Sequence, residues 1–135
     1  MELKRYVRTN DGEIFDTHDK KHLSSKYYSK EYQEYNGNLL CNYYVKFDEK
    51  GDNELLDNHY LGQIALTSDN ILDLVKEGDL ILTEDNEVVS VWDISNGTIF
   101  CRHYGYSREN IKMVYTKQGD NYIGYKVEKE NNDGN

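Results

Sequence analysis

Cys101 and His103 stand two residues apart, the spacing that sets both side chains on one face of a strand and brings an imidazole towards a thiol. A thiol nucleophile also needs an orienting acid and donors for the oxyanion, and neither is recognisable in this sequence. A buried strand cysteine beside a surface histidine is the plainer reading. His18 and His22 are four residues apart with Asp16 and Asp19 beside them, so on a helix they would offer two imidazoles and a carboxylate to a metal. The intervening Lys20 and Lys21 repel a cation, and the Glu that follows the first His in zinc peptidases is missing. His59, near Asp57, is the remaining base. Asp48, Glu49, Asp52, Glu54 and Asp57 crowd one stretch, but Lys50 takes the third position of what would be a calcium loop, so they read as a solvated turn. No glycine-rich phosphate loop occurs. The residues therefore predict no catalytic centre, no metal and no cofactor.

What they do show is charge. From Asn36 to Cys101 there are 13 acidic residues against three basic ones, while the first 35 residues balance seven against seven, within a chain of net charge −9. Such a field repels nucleic acid and membrane surfaces and attracts basic partners. The residues best placed for a docking face are Asp48, Glu49, Asp52, Glu54, Glu84, Asp85 and Glu87, with Tyr43 and Tyr44 as aromatic anchors.

Twelve of the 13 tyrosines fall in two stretches, Tyr27 to Tyr60 and Tyr104 to Tyr125, and an amphipathic ring suits both half-buried walls and recognition surfaces. Lys20, Lys21, Lys26 and Lys30 interleave with Tyr27 and Tyr28 as in single-strand binders, but the overall field opposes that partner.

At 135 residues the chain fits one ordinary domain, with two cysteines too far apart for a disulfide scaffold. The start MELKRYVRT lacks a signal peptide's apolar stretch, and no run approaches the length of a spanning helix. A cytosolic protein is expected.

Strand signals dominate. Leu3 to Arg8 and Glu13 to Thr17 flank the turn Asn10-Asp11-Gly12; Leu39 to Phe47 precedes a turn cluster at Asp48 to Asn53. Asp19 to Tyr35 has no clean period and reads as a loop with a short helix around Ser29 to Tyr35. Ser68-Asp69, then Ile71, Leu72, Leu74 and Val75, then Gly78, spell a cap, an apolar face and a stop for one helical turn. Beyond it, Leu80 to Glu84, Glu87 to Ile94, Thr98 to His103, Ile111 to Thr116 and Tyr122 to Glu128 read as strands, with turns at Asp85-Asn86, Asn96-Gly97 and Gln118 to Asp120. The fold expected is mainly β: a small SH3-like or β-barrel or sheet domain of about seven short strands with one short helix, over 1–128, either single or in two lobes (1–66 and 67–128), with a disordered tail at 129–135.

The segment Ser68 to Ile81 (SDNILDLVKEGDLI) resembles a pattern in uncharacterised prophage and mobile-element proteins of low-GC Gram-positive bacteria. Arg108 to Thr116 is similar to their closing segment and Tyr6 to Gly12 to their opening hairpin. This chain departs from them in a Tyr-rich insertion between Thr17 and Asn38 and in the acidic turn Glu84 to Glu87. The resemblance implies a source and carries no activity.

Together these readings favour a non-enzymatic acidic protein-binding module of phage or mobile-element origin, working in the bacterial host cytosol against a basic host protein surface. Its most concrete form mimics DNA to block a defence protein, in the manner of anti-CRISPR inhibitors, without itself binding nucleic acid or membrane. The alternatives are a β barrel that sponges a small ligand or nucleotide, and a phage assembly accessory. The sequence leaves the oligomeric state open.

Overall fold

The computed structural model describes residues 2–20, 28–46 and 53–128. Among them the chain is mainly β: twelve strands in three antiparallel sheets, with two short 3-10 turns. It divides into two compact units, Met1–Asp69 and Asn70–Asn135.

The first unit is a five-stranded sheet in the order β2-β1-β5-β4-β3, built from β1 (Tyr6–Thr9), β2 (Ile14–Asp16), β3 (Tyr28–Tyr35), β4 (Asn38–Lys46) and β5 (Asn53–Ser68). β3 occupies the stretch where a short helix was expected around Ser29 to Tyr35. It pairs with β4 residue for residue from Tyr28↔Val45 to Tyr35↔Asn38, and pairing of that length overrides a weak local helical preference. The turn between them is Asn36-Gly37, with φ of 51° and 81°, the positive values a two-residue hairpin turn requires.

β5 is 16 residues long and changes neighbour midway. Asn53 to Gln63 pairs with β4, and Ile64 to Ser68 pairs with β1. At the crossover Gly62 has φ 138°, and a Cβ there would stand 3.1 Å from Thr9 Cβ. The core of this unit is Val7, Leu39 and Ile64, with Leu3, Phe15, Tyr32 and Leu61 packed on it.

The second unit opens on the expected helical turn, Ile71–Leu74. Its cap is Asn70, whose side chain accepts from the Leu72 N–H, while Asp69 accepts from the Arg5 N–H at 2.9 Å within the first unit. Next come β6 (Leu80–Thr83), β7 (Val88–Ser90), β8 (Asp93–Ser95), β9 (Thr98–Phe100), β10 (Gly105–Ser107), β11 (Ile111–Gln118) and β12 (Asn121–Lys126). They form a four-stranded sheet, β12-β11-β6-β7, and a three-stranded one, β10-β9-β8. The stretch Glu87 to Ile94, expected as one strand, is split between the two sheets.

Gly78-Asp79 takes up the slack. The Gly78 N–H donates to Val91 O at 3.0 Å, and the Val91 N–H donates to Asp79 O at 2.9 Å. The Asp79 side chain is buried and accepts from the Lys76 N–H at 2.8 Å.

Two stability measurements follow from these contacts. Gly62→Ala forces a side chain into positive φ against Thr9 and is expected to lower unfolding free energy by about 1–3 kcal/mol in urea titration. Asp79→Ala removes the acceptor of the partly buried Lys76 amide and is expected to cost about 1–2 kcal/mol in the same assay, whereas Asp79→Asn, which keeps an acceptor, costs less.

Candidate functional site

The second unit carries a groove of about 440 Å³ between its β6–β7 hairpin and its three-stranded sheet. Glu87, Val89 and Ser90 line one side, and Trp92, Cys101, Arg102, His103, Tyr104 and Tyr106 complete it. The step between the two sheets, at Val91 and Trp92, explains why an aromatic wall faces solvent. Val91 is buried at 1% exposure and held by its bonds to Gly78 and Asp79, so the next residue, Trp92, must point away and is 56% exposed. The Trp92 N–H donates to Phe100 O at 2.8 Å, which passes the chain into the second sheet and fixes the indole beside β9.

The far wall is a tight turn. The Cys101 N–H donates to Tyr104 O at 2.8 Å, placing Arg102 and His103 at the tip and leaving Tyr104 69% exposed. The His103 and Tyr104 rings meet edge to face at 6.4 Å. Gly105 permits this turn to lie close to its partner strand, because a Cβ there would stand 2.9 Å from Phe100 Cε1.

Burial raises the Tyr106 phenol above its ordinary pKa, and the Glu87 carboxylate, then Cys101, Tyr104 and Asp85, push it the same way. Asp85 and Glu87, two residues of the acidic turn, thus act electrostatically on an aromatic wall of the groove. Burial also pushes the Cys101 thiol up, the direction opposite to that of an activated nucleophile. β9 ends at Phe100, so Cys101 and His103 sit on a turn and do not share the strand face expected of them.

The other sequence-predicted residues lie elsewhere. Asp48, Glu49 and Asp52 fall outside the described residues. Glu54 and Asp57 belong to β5, an ordered strand where a solvated turn was expected, and Glu84 begins the turn after β6. Tyr43 and Tyr44 are neighbours on β4 and so face opposite sides of the sheet; they do not form a joint anchor.

On the Tyr43 side, that ring meets the His59 ring at 5.0 Å, and His59 Nε2 lies 2.7 Å from Asp57 Oδ2. The His59 hydrogen bond, and after it the Asn58 N–H, hold the Asp57 carboxyl below its usual range. Cys41 pairs across the strands with His59, yet burial pushes its thiol up and Tyr43 is its hydrogen-bond partner. Lys30 sits 3.3 Å from Asp19 and over the Tyr32 ring at 5.6 Å. Burial opposes its charge, but Tyr32 and Asp19 together carry its pKa upward.

Of the histidine pair weighed for metal, His22 lies outside the described residues, as do Lys21, Lys26 and Tyr27. Among the described residues no group of three His, Cys, Asp or Glu is placed to hold a metal ion, and no helix is long and apolar enough to cross a membrane.

Val89, Ser90, Trp92 and Arg102 are the groove residues that sequence reasoning missed. No local pattern marks them, because the groove forms where the chain changes sheets between Ser90 and Asp93.

No family model, curated protein or solved structure matches this chain.

The electrostatics can be checked directly. In a spectrophotometric titration Tyr106, identified by loss of its signal in Tyr106→Phe, is expected to ionise above pH 10. Asp85→Asn with Glu87→Gln removes two negative charges that oppose the phenolate, so its midpoint falls; the part due to burial stays.

Proposed function

We propose that this protein is a non-enzymatic, acidic protein-binding module whose working surface is the groove of the second unit, with the turn Glu84 to Glu87 on its rim. The observation that carries this reading is the coincidence of two features that recognition surfaces combine. Trp92 and Tyr104 present large exposed rings, and Glu87 lines the same groove while Asp85 acts on Tyr106 within it. Aromatic faces and carboxylates both favour cationic side chains, arginine above all. Arg102 at the turn tip adds one opposite charge, which gives the partner an orientation.

The partner proposed is the basic surface of a bacterial host protein in the cytosol, in its sharpest form the nucleic-acid channel of a defence protein. Carboxylates on a hairpin tip stand in for phosphates there and gain from electrostatic steering. The resemblance of Ser68 to Ile81 to mobile-element proteins supports that setting.

A second reading rests on the groove's size. A volume of about 440 Å³ suits a small ligand, and rings beside Arg102 would stack a base and meet a phosphate.

Trp92 is the only tryptophan, so its fluorescence reports on the groove alone. Titrated with an arginine-rich peptide, the intact chain is expected to show a saturable change that weakens as salt rises. Replacing Glu84, Asp85 and Glu87 by Gln, Asn and Gln should weaken it roughly tenfold. A response to ATP instead, undiminished by those replacements, moves the assignment to the small ligand. Silence towards both overturns the groove.

A further inference from the structure

We propose that the first unit pairs with a second copy of this chain through the open edge of β5, antiparallel, with a two-fold axis at Asn58. Among the described residues, β5 from Asn53 to Gln63 has a strand on one side only: β4 pairs along it, and β1 takes the opposite edge only from Ile64. An edge of that length is a template for another strand. Natural sheets blunt such edges with lysine, proline, other charges or bulges; between Glu54 and Gln63 this one carries neither lysine nor proline, and its bulges, at Leu56 and Leu61, leave the stretch between them regular.

The occupant is argued from the sequence of the edge. Around Asn58 the chemistry reads the same in both directions: Leu56 and Tyr60 are apolar, Asp57 and His59 are acid and base, and Asn58 is its own counterpart. Antiparallel pairing about Asn58 therefore sets Leu56 against Tyr60 of the second copy, Asp57 against His59, and Asn58 against Asn58. Both apolar side chains are more than half exposed, Leu56 at 55% and Tyr60 at 64%. Cross-strand aromatic–aliphatic and opposite-charge pairs are the units that stabilise a sheet.

A slip of one residue sets Asp57 and His59 against Asn58, and a slip of two, which moves the axis by one residue, places Asp57 against Asp57 or His59 against His59. The two bulges of the β4–β5 pairing fall at Leu56 and Leu61, so regular alternation runs between them, from Asp57 to Tyr60, and Leu56 sits at the bulge that ends it. In the single chain Asp57 contacts its own His59 and accepts from the Asn58 N–H at 2.8 Å. The Asp57 bonds would be exchanged for their counterparts across the axis, while the Asn58 side chain, which donates to Asn42 Oδ1 on β4, keeps that bond and Asn58 meets its counterpart through the backbone. Each copy carries −9, so bulk charge opposes association and salt should strengthen it, the reverse of the dependence expected at the groove.

Sedimentation equilibrium of the full chain is expected to give twice the 15.9 kDa monomer mass at high concentration, with a dissociation constant that falls as salt rises. Leu56→Asp, at an exposed position that leaves the fold intact by circular dichroism, should raise that constant at least tenfold. The register is read by cross-linking in a Cys41→Ala, Cys101→Ser background, because Cys41 lies opposite His59 in the same chain. Strands paired at the axis bring the two Asn58 Cα atoms within disulfide reach, whereas the two His59 Cα atoms lie about 8 Å apart, beyond it. Asn58→Cys should thus oxidise to a covalent dimer and His59→Cys should stay monomeric. A chain that sediments as a monomer throughout overturns the proposal, as does a dimer in which Asn58→Cys links no faster than His59→Cys.

Discussion

Val91, tied to Gly78 and Asp79, and the Trp92 N–H, tied to Phe100 O, carry the chain from one sheet of the second unit to the other. The Val91 side chain is buried, its N–H is spent on Asp79 and its carbonyl on the Gly78 N–H, so neither the residue nor its backbone can rotate without stranding polar groups. Everything exposed at the groove inherits its direction from that one fixed residue. Trp92 is turned outward because Val91 is turned inward, and its bond to Phe100 then sets the distance to the Cys101–Tyr104 turn. The indole's exposure costs hydrophobic free energy of the order of 1–2 kcal/mol that burying Trp92 would recover. The fold leaves it exposed because the parity that buries it would expel Val91.

The first unit answers to a comparable constraint at Gly62. A strand that must serve β4 over one half and β1 over the other has to twist between them, and at Gly62 the positive φ and the close approach to Thr9 both disfavour a side chain. The same change of neighbour produces the open edge. Among the described residues β1 covers β5 only from Ile64 onward, so the half that pairs with β4 has no second strand beside it. The exposed edge is a geometric consequence of how the sheet is assembled.

Hairpins written in local turn chemistry were legible from sequence. Asn96-Gly97 joins β8 to β9 with φ of 52° and 80°, and the Asn10 to Gly12 and Gln118 to Asp120 turns join the strands expected of them. The helical turn before Gly78 was legible too, although its cap proved to be Asn70. β3 was not, because its alternation of Tyr28, Lys30 and Tyr32 with polar residues lacks an apolar face until β4 lies against it. β5 was hidden by its own bulges: the extra residues at Leu56 and Leu61 break the period of two, so Leu55, Leu56, Leu61 and Ile64 do not alternate. At the site, Tyr104, Tyr106 and Glu87 could be picked out by type, but their meeting with Trp92 depends on the sheet change at Val91, a long-range event no local window contains.

The acidic turn shows why recognition can reside there without endangering the fold. Its frame is made by the backbone and by uncharged side chains: the Asn86 N–H donates to Thr83 O at 2.9 Å, the Thr83 N–H to Glu87 O at 2.9 Å, and the Glu87 N–H to Thr83 Oγ1 at 3.2 Å. The Glu84 N–H reaches Asn110 O at 2.8 Å and Lys112 Nζ reaches Asn86 Oδ1 at 2.7 Å, tying the turn to the end of β6's neighbour. None of these bonds uses the carboxylate of Asp85 or Glu87. Charge placed on such a tip is solvated, so its self-repulsion is screened and small, while the hairpin beneath stays rigid. A surface of this construction can change its acidic residues with little effect on stability, which confines the consequence of each change to whatever docks against it.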